Sequence, residues 1–306
     1  MLEVLVQMAG LILCGIGWRW LQPAGLEPVQ TRRVLTSLVY YLLLPALVLS
    51  VLWQAELGNT TLFIALSGVF AVIVGWLSSS LICRVCHTRP AVAGAVILAA
   101  AFPNVTYLGL PVLEATFGPW ARSVAIQMDL FACTPLLFSL GVLIAARYGT
   151  AAPGAHSMIG ELMRIPALWA AFLAVVLNLL DVEMHGVLAG LLGMLERGVV
   201  PLMLFSLGLS LQWNREQWHK LPTVIPVVAL RLLLVPALVA VFASAIGLSG
   251  ELHAAVVMEA AMPSMVLGIV FCDRYDLDVS LYATTVTVTT VLSLLTLPLW
   301  YRWLLA

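Results

Sequence analysis

The chain has 306 residues, of which 62% are hydrophobic and 9% charged, with a formal net charge of −1 and a mean hydropathy of +1.07. A typical soluble domain has about 25% charged residues, so the chain lacks the polar surface of a water-soluble fold, a disordered chain or a nucleic-acid binder. The alternating polar lining of an outer-membrane barrel is missing as well. The composition therefore predicts an all-α membrane protein with many spans, which has the lipid bilayer as a partner and binds no nucleic acid.

A helix needs about 20 mainly apolar residues to cross a hydrocarbon core of about 30 Å. Ten segments of the chain meet this requirement. In chain order they are residues 2–21, 34–53, 61–83, 91–116, 120–146, 165–181, 188–211, 222–246, 252–273 and 279–304. The first segment has no basic region before it and no small-residue cleavage site, so we expect a retained helix rather than a signal peptide.

Basic residues are concentrated on one side of these spans. The loops after spans 1, 3, 5, 7 and 9 contain Arg19, Arg32, Arg33, Arg84, Arg89, Arg147, Arg164, Arg215, Lys220 and Arg274. The opposite side has only Arg122 and Arg302, with Arg197 a few residues inside span 7. Because basic loops stay in the cytoplasm, we expect an inner (plasma) membrane protein with both termini outside the cytoplasm.

Prolines recur between the two halves of the chain, at offsets of 156, 160 and 163 residues. The pairs are Pro45 and Pro201, Pro103 and Pro263, and Pro135 and Pro298. We therefore predict two five-helix repeats, residues 1–146 and 165–306, joined by a cytoplasmic linker at 147–164. Since five is an odd number of spans, the second repeat enters the membrane inverted, which is the design of many secondary transporters.

Spans 4 and 9 each contain a helix-breaking sequence. Pro103 removes a backbone donor, and Asn104, Thr106 and Gly109 add polar or flexible backbone after it, while Pro263 interrupts span 9. Unwound backbone at membrane depth is tolerated only where it faces protein or a water-filled cavity. A single proline kink often has no function, but two at equivalent positions favour a transport site formed by broken crossover helices.

Of the ionisable residues inside spans, where such groups are costly and usually functional, three are candidates for a role in transport. Asp129 is either a proton or cation coupling site or a hydrogen-bonded packing residue. Glu259, one helical turn before Pro263, is a second candidate carboxylate. Arg231 either extends its side chain to the interface or neutralises a substrate carboxylate. We expect Glu196 to pair locally with Arg197 and assign that pair no role.

The segment Cys83–His87 matches the attachment pattern of c-type haem, but the predicted orientation places it in the cytoplasm, where haem is not attached covalently. The five cysteines are dispersed, and the other histidines lack metal-ligand spacing. We therefore predict no disulfide framework, no metal site, no cofactor and no enzymatic activity. A haem-bearing redox protein stays open as an alternative.

Two segments carry a family resemblance. Residues 102–118, FPNVTYLGLPVLEATFG, resemble the span-4 signature of the auxin efflux carrier family, and residues 262–278, MPSMVLGIVFCDRYDLD, are similar to its span-9 signature. The threonine-rich span 10, with its TLPLW sequence, is also similar. The short middle loop is typical of the bacterial type. The resemblance implies ten spans in two repeats, a crossover fold related to bile-acid and sodium/proton transporters, and small mono- or dicarboxylates as substrates.

By this resemblance Pro103, Asn104 and Pro263 fall on the binding region of the family. Ser264 stands where an amide residue is expected after the second proline, which is a departure from the pattern. We therefore expect an efflux carrier for a small organic anion that works by alternating access, and coupling to protons, coupling to sodium and uniport stay open. A homodimer, a sodium-coupled importer of the same fold and a non-transporting membrane sensor remain alternatives.

Overall fold

The computed structural model describes residues 2–55, 57–150, 160, 163–211 and 219–306. Within these ranges the regular structure is helical, apart from one short bridge between two breaks. The first six helices are α1 (Leu2–Leu21), α2 (Pro28–Trp53), α3 (Asn59–Val85), α4 (Pro90–Ala101), α5 (Val105–Phe117) and α6 (Ala121–Tyr148). The others are α7 (Pro166–Leu179), α8 (Gly186–Ser210), α9 (Leu221–Ala245), α10 (Gly250–Ala260), α11 (Gly268–Arg274) and α12 (Val279–Leu305).

Among the described residues, six helices are long and apolar enough to cross a membrane, namely α2, α3, α6, α8, α9 and α12. Shorter apolar helices cover four further stretches, Val6–Leu21, α4, α5 and α7. The protein is therefore a multi-pass helical membrane protein. Spans 4 and 9 of the sequence analysis are each divided into two helices. The count of ten spans and the inverted repeats stay predictions, and most of the expected linker at 147–164 lies outside the described residues.

Four helices contain a widened π-helical turn that ends two residues before a proline. These turns are Val39–Leu43, Val105–Gly109, Asp129–Cys133 and Leu230–Leu234, and they precede Pro45, Pro111, Pro135 and Pro236. Proline has no backbone N–H, and its ring clashes with the carbonyl one turn earlier, so a wider turn accommodates it without breaking the helix. The turns matter for the site, because Asp129 and Arg231 both lie in them.

The two broken spans lie at the centre of the molecule. Residues 93–101 of α4 and 254–260 of α10 are buried without interruption, which is expected of helices surrounded on all sides by protein. On the periphery, α1 packs closely against α8, where a Cβ at Gly15 or Gly208 would overlap the backbone of the other helix. The outer helices therefore enclose a central pair of broken ones.

Candidate functional site

The two breaks in the helices bond to each other. The backbone N–H of Asn104 donates to the carbonyl of Pro263 at 2.7 Å, and the N–H of Met265 donates to the carbonyl of Phe102 at 3.0 Å, so that Pro103 and Ser264 form a short antiparallel bridge. Backbone groups freed by one break are thus satisfied by the other, as a buried site requires. The structure places the predicted breaks of spans 4 and 9 at one point.

A neighbouring helix supports this crossing. The backbone N–H of Ser264 donates to Oγ1 of Thr289 on α12 at 3.2 Å. The hydroxyl of Ser264 is fully buried and has no hydrogen-bond partner among the described residues. Ser264 thus brings an unused hydroxyl to the position where the resemblance led us to expect an amide.

Four helix ends meet at the crossing. Helices α4 and α10 end there, and α5 and α11 begin there. The last carbonyls of a helix carry partial negative charge and the first N–H groups partial positive charge, so the crossing brings together two acceptor ends and two donor ends.

Arg231 joins the two acceptor ends. Its Nε donates to the carbonyl of Met262 at 3.1 Å, Nη1 donates to the carbonyl of Ala100 at 3.3 Å, and Nη2 donates to the carbonyl of Ala260. The side chain is fully buried, so the expectation that it extends to the interface is wrong. The physical reason is that a cation is well placed against carbonyls that have lost their helical partners. Since every guanidinium nitrogen has a carbonyl partner, a substrate carboxylate would have to compete for it.

Asp129 lies beside the first break. Its Oδ1 accepts a hydrogen bond from Oγ1 of Thr134 at 3.0 Å, and its Oδ2 accepts one from Oγ1 of Thr106. The bond from Thr106 links the first turn of α5 to α6, whereas the bond from Thr134 lies within α6. Both readings of Asp129, a coupling site and a hydrogen-bonded packing residue, are compatible with this geometry.

A cavity of about 100 Å³ adjoins Asp129 and the first break. Polar groups of Asn104, Thr106 and Asp129 face walls formed by Tyr40, Phe138 and other large side chains. Asn104 is only 1% exposed, and its side-chain nitrogen has no hydrogen-bond partner among the described residues. A buried donor without a partner is costly, so an acceptor such as a carboxylate or a water molecule would stabilise this site.

Glu259 is fully buried on the last turn of α10, and neither of its carboxyl oxygens has a partner among the described residues. The carboxylate packs against Gly109, where a Cβ would overlap it. Glu259 is therefore next to the first break but does not line the cavity at Asn104. Of the two candidate coupling residues, only Asp129 faces that cavity.

Sequence reasoning missed an ion-pair network around Arg122. Its Nη1 bonds Oε1 of Glu196 at 3.1 Å, and its Nη2 bonds Oε1 of Glu114. The expected pair of Glu196 with Arg197 is thus wrong, because the guanidinium of Arg122 on α6 reaches Glu196 and also bonds Glu114. Arg122 lines an open vestibule of about 650 Å³. The sequence did contain one indication of this network, because Arg122 is one of the few basic residues on the side of the membrane opposite the basic loops.

In the haem-like segment, Cys83 is buried at the end of α3, while Cys86 is exposed. Thioether bonds to both residues would require Cys83 to move outward. Among the described residues, no group of three or more His, Cys, Asp and Glu side chains is arranged to hold a metal ion.

Comparison with known proteins gives consistent results along the whole chain. A family model described as "Membrane transport protein" matches residues 3–301. An uncharacterized transporter of Methanothermobacter thermautotrophicus is 32% identical over 97% of this chain and 96% of its own length. A second uncharacterized transporter, from Methanocaldococcus jannaschii, is 25% identical over 92% of each chain. The rice protein "Probable auxin efflux carrier component 5b" (Oryza sativa subsp. japonica) is 28% identical over 66% of each chain.

Proposed function

Because the chain belongs to the membrane transport protein family, the family of the auxin efflux carriers, we propose that it is a secondary transporter for small organic anions such as mono- or dicarboxylates. The observation that carries this proposal is the side-chain nitrogen of Asn104, which is buried beside the crossed breaks and has no hydrogen-bond partner among the described residues. This nitrogen can donate a hydrogen bond to a substrate carboxylate in the cavity, which adjoins the start of α5.

In this proposal the substrate carboxylate accepts hydrogen bonds from the side chain of Asn104 and from donor groups of the first turn of α5. Pro103 and Pro263 keep the two helices open at the crossing, and Ser264 has a buried hydroxyl at this crossing but does not line the cavity. Gly109 allows α10 to approach α5 closely. The large side chains of the cavity wall exclude water around the bound anion.

Asp129 is the proposed coupling residue. It faces the same cavity as Asn104 and accepts hydrogen bonds from two threonines, so a proton or cation bound there changes the charge next to the substrate. Glu259, which lies behind Gly109, is the second candidate. Arg231 acts on the substrate indirectly, by holding the carbonyl ends of α4 and α10.

A sodium-coupled importer of the same fold is the second candidate function. The carboxylate of Asp129 and the hydroxyl oxygens of Thr106 and Thr134 meet at one point beside the cavity, and hard cations prefer such oxygen ligands. In either case we propose alternating access by two inverted repeats, residues 1–146 and 165–306, in an inner membrane with both termini outside the cytoplasm.

Uptake of radiolabelled malate, malonate and benzoate into proteoliposomes tests the function. We expect saturable flux for at least one of these acids. The loss of a hydrogen bond to a charged group costs about 1.5–3 kcal/mol, so Asn104→Ala should raise KM by roughly 10- to 150-fold. Asn59→Ala, at the exposed start of α3, is the matched control. Flux driven by a pH gradient supports proton coupling, and flux driven by a sodium gradient supports the second candidate.

Absence of flux for all three acids would contradict the proposed substrate class. Saturable flux that is equal in Asn104→Ala and in the wild type would retain the carrier function but remove the site.

A further inference from the structure

A second cavity, of about 150 Å³, lies between α2, α5, α8 and the second break. Its polar lining comes from Arg32, Thr36, Tyr107, Ser206 and Ser210. Tyr107 and Leu267 line both this cavity and the one at Asn104. The two cavities are therefore neighbours with a shared wall.

The cationic group of this cavity is not neutralised by the described part of the chain. Arg32 is half-buried and forms no ion pair with any described carboxylate. In the vestibule of about 650 Å³, by contrast, Arg122 is paired with both Glu114 and Glu196. The cavity at Arg32 is thus the one of the two whose arginine is available to an anion.

The hydroxyl of Ser206 points to the same ligand chemistry. Ser206 is 2% exposed, and its hydroxyl has no hydrogen-bond partner among the described residues. Thr36 and Ser210, in contrast, donate to backbone carbonyls of Arg32 and Leu207 at 2.8 and 2.6 Å. A buried hydroxyl without a partner is costly, and an anion held by the nearby guanidinium would accept its proton.

From these observations we propose that Arg32 and Ser206 form a second binding site for a small carboxylate, which the anion occupies before or after the site at Asn104. A guanidinium matches a carboxylate with two parallel hydrogen bonds, and the buried serine adds a third donor. The inference rests on the proposed transport of organic anions. Arg32 lies at the end of α2 that we expect to face the cytoplasm, so the site would load substrate for export.

Equilibrium binding of radiolabelled malonate and benzoate to the purified full-length protein in nanodiscs tests this site. The measurements start from Asn104→Ala, which weakens the first site. In that background we expect Arg32→Gln to raise Kd at least tenfold and Arg32→Lys to raise it less, because lysine keeps the charge but not the planar pair of donors. Ser206→Ala should raise Kd several-fold.

Arg33→Gln is the matched control, since it removes the same charge from the exposed neighbouring residue, and its Kd should stay unchanged. Malonamide, which is neutral, should not compete. Equal effects of Arg32→Gln and Arg33→Gln on Kd would overturn the site. The site would also be overturned if neither malonate nor benzoate bound to Asn104→Ala. Saturable flux in the wild type with either of those results would overturn this site and leave the proposed function standing. Binding that depends on Arg32, together with absence of flux in the wild type, would support this site and contradict the proposed transport function.

Discussion

The carboxylate of Glu259 occupies the space that Gly109 leaves by having no side chain. Glu259 is on the last turn of α10, and Gly109 is in the first turn of α5, so the contact joins the two broken spans beside their crossing. The glycine is required here by close packing rather than by its backbone angles.

We expect Gly109→Ala to destabilise the protein by about 1–3 kcal/mol, because the added methyl group forces buried atoms apart. Thermal unfolding in detergent measures the effect. Gly190→Ala is the control, since no atom lies within 4 Å of its Cβ position. The double variant Gly109→Ala/Glu259→Ala should be less destabilised than the sum of the two single changes, because the shorter side chain removes the overlap. Additive effects would contradict the contact.

Replacement of Arg231 should affect stability strongly. Arg231→Met leaves three buried carbonyls without their donor, and each such group costs about 1–3 kcal/mol, so we expect a loss of at least about 3 kcal/mol. Arg231→Lys retains the charge but reaches fewer carbonyls, and its loss should be smaller. Thermal unfolding compares both with Arg197→Met, an exposed arginine. Equal stability of Arg231→Met and Arg197→Met would refute the bridging role.

If Asp129 carries the coupling ion, Asp129→Asn should abolish uphill uptake of malonate while exchange of labelled for unlabelled malonate continues. The amide keeps the shape of the carboxyl group but cannot bind a proton or a cation in the same way. The measurement compares net uptake with exchange in the same proteoliposomes. Asp181→Asn, at an exposed position, serves as the control. Gradient-driven uptake by Asp129→Asn at the wild-type level would exclude this role.

The ion pairs of Arg122 should contribute little to stability. The side chains of Arg122 and Glu196 are 18% and 17% exposed at the wall of an open vestibule, so water and salt reach the pair, and pairs in contact with solvent typically contribute about 0.2–1 kcal/mol. A double-mutant cycle with Arg122→Gln and Glu196→Gln should give a coupling energy of about that size, which decreases as salt is added. A coupling energy above about 3 kcal/mol that is insensitive to salt would show that the pair is shielded from water.

The positions of the helix breaks could be predicted from sequence, because proline acts through local geometry. Pro103 and Pro263 both lie in breaks, and their offset of 160 residues, close to that of the other two proline pairs, was the reason to expect that the breaks form one site. Pro135 and Pro236 each follow a π-helical turn, and these turns contain Asp129 and Arg231. The widened turns and their placement of these two residues were not predicted from the sequence.

The partners of the buried charges could not be predicted, because they depend on how helices far apart in sequence pack. Arg231 donates to the carbonyls of Ala100 on α4 and Ala260 on α10. These carbonyls lie side by side only because the two breaks cross in the folded protein. Likewise, Glu196 pairs with Arg122 rather than with its neighbour Arg197, since adjacent residues on a helix point in different directions.

Two backbone hydrogen bonds and one guanidinium group hold the crossed breaks together. A larger ligand cannot gain room by spreading them, because the freed amides and carbonyls would lose their partners in a buried environment. In the proposed transport function, discrimination by ligand size would therefore come from the surrounding wall, where Tyr40, Phe138 and Met203 line the cavity. Under that proposal, exchange of these wall side chains would change which acids fit the cavity, while the polar centre would remain the same.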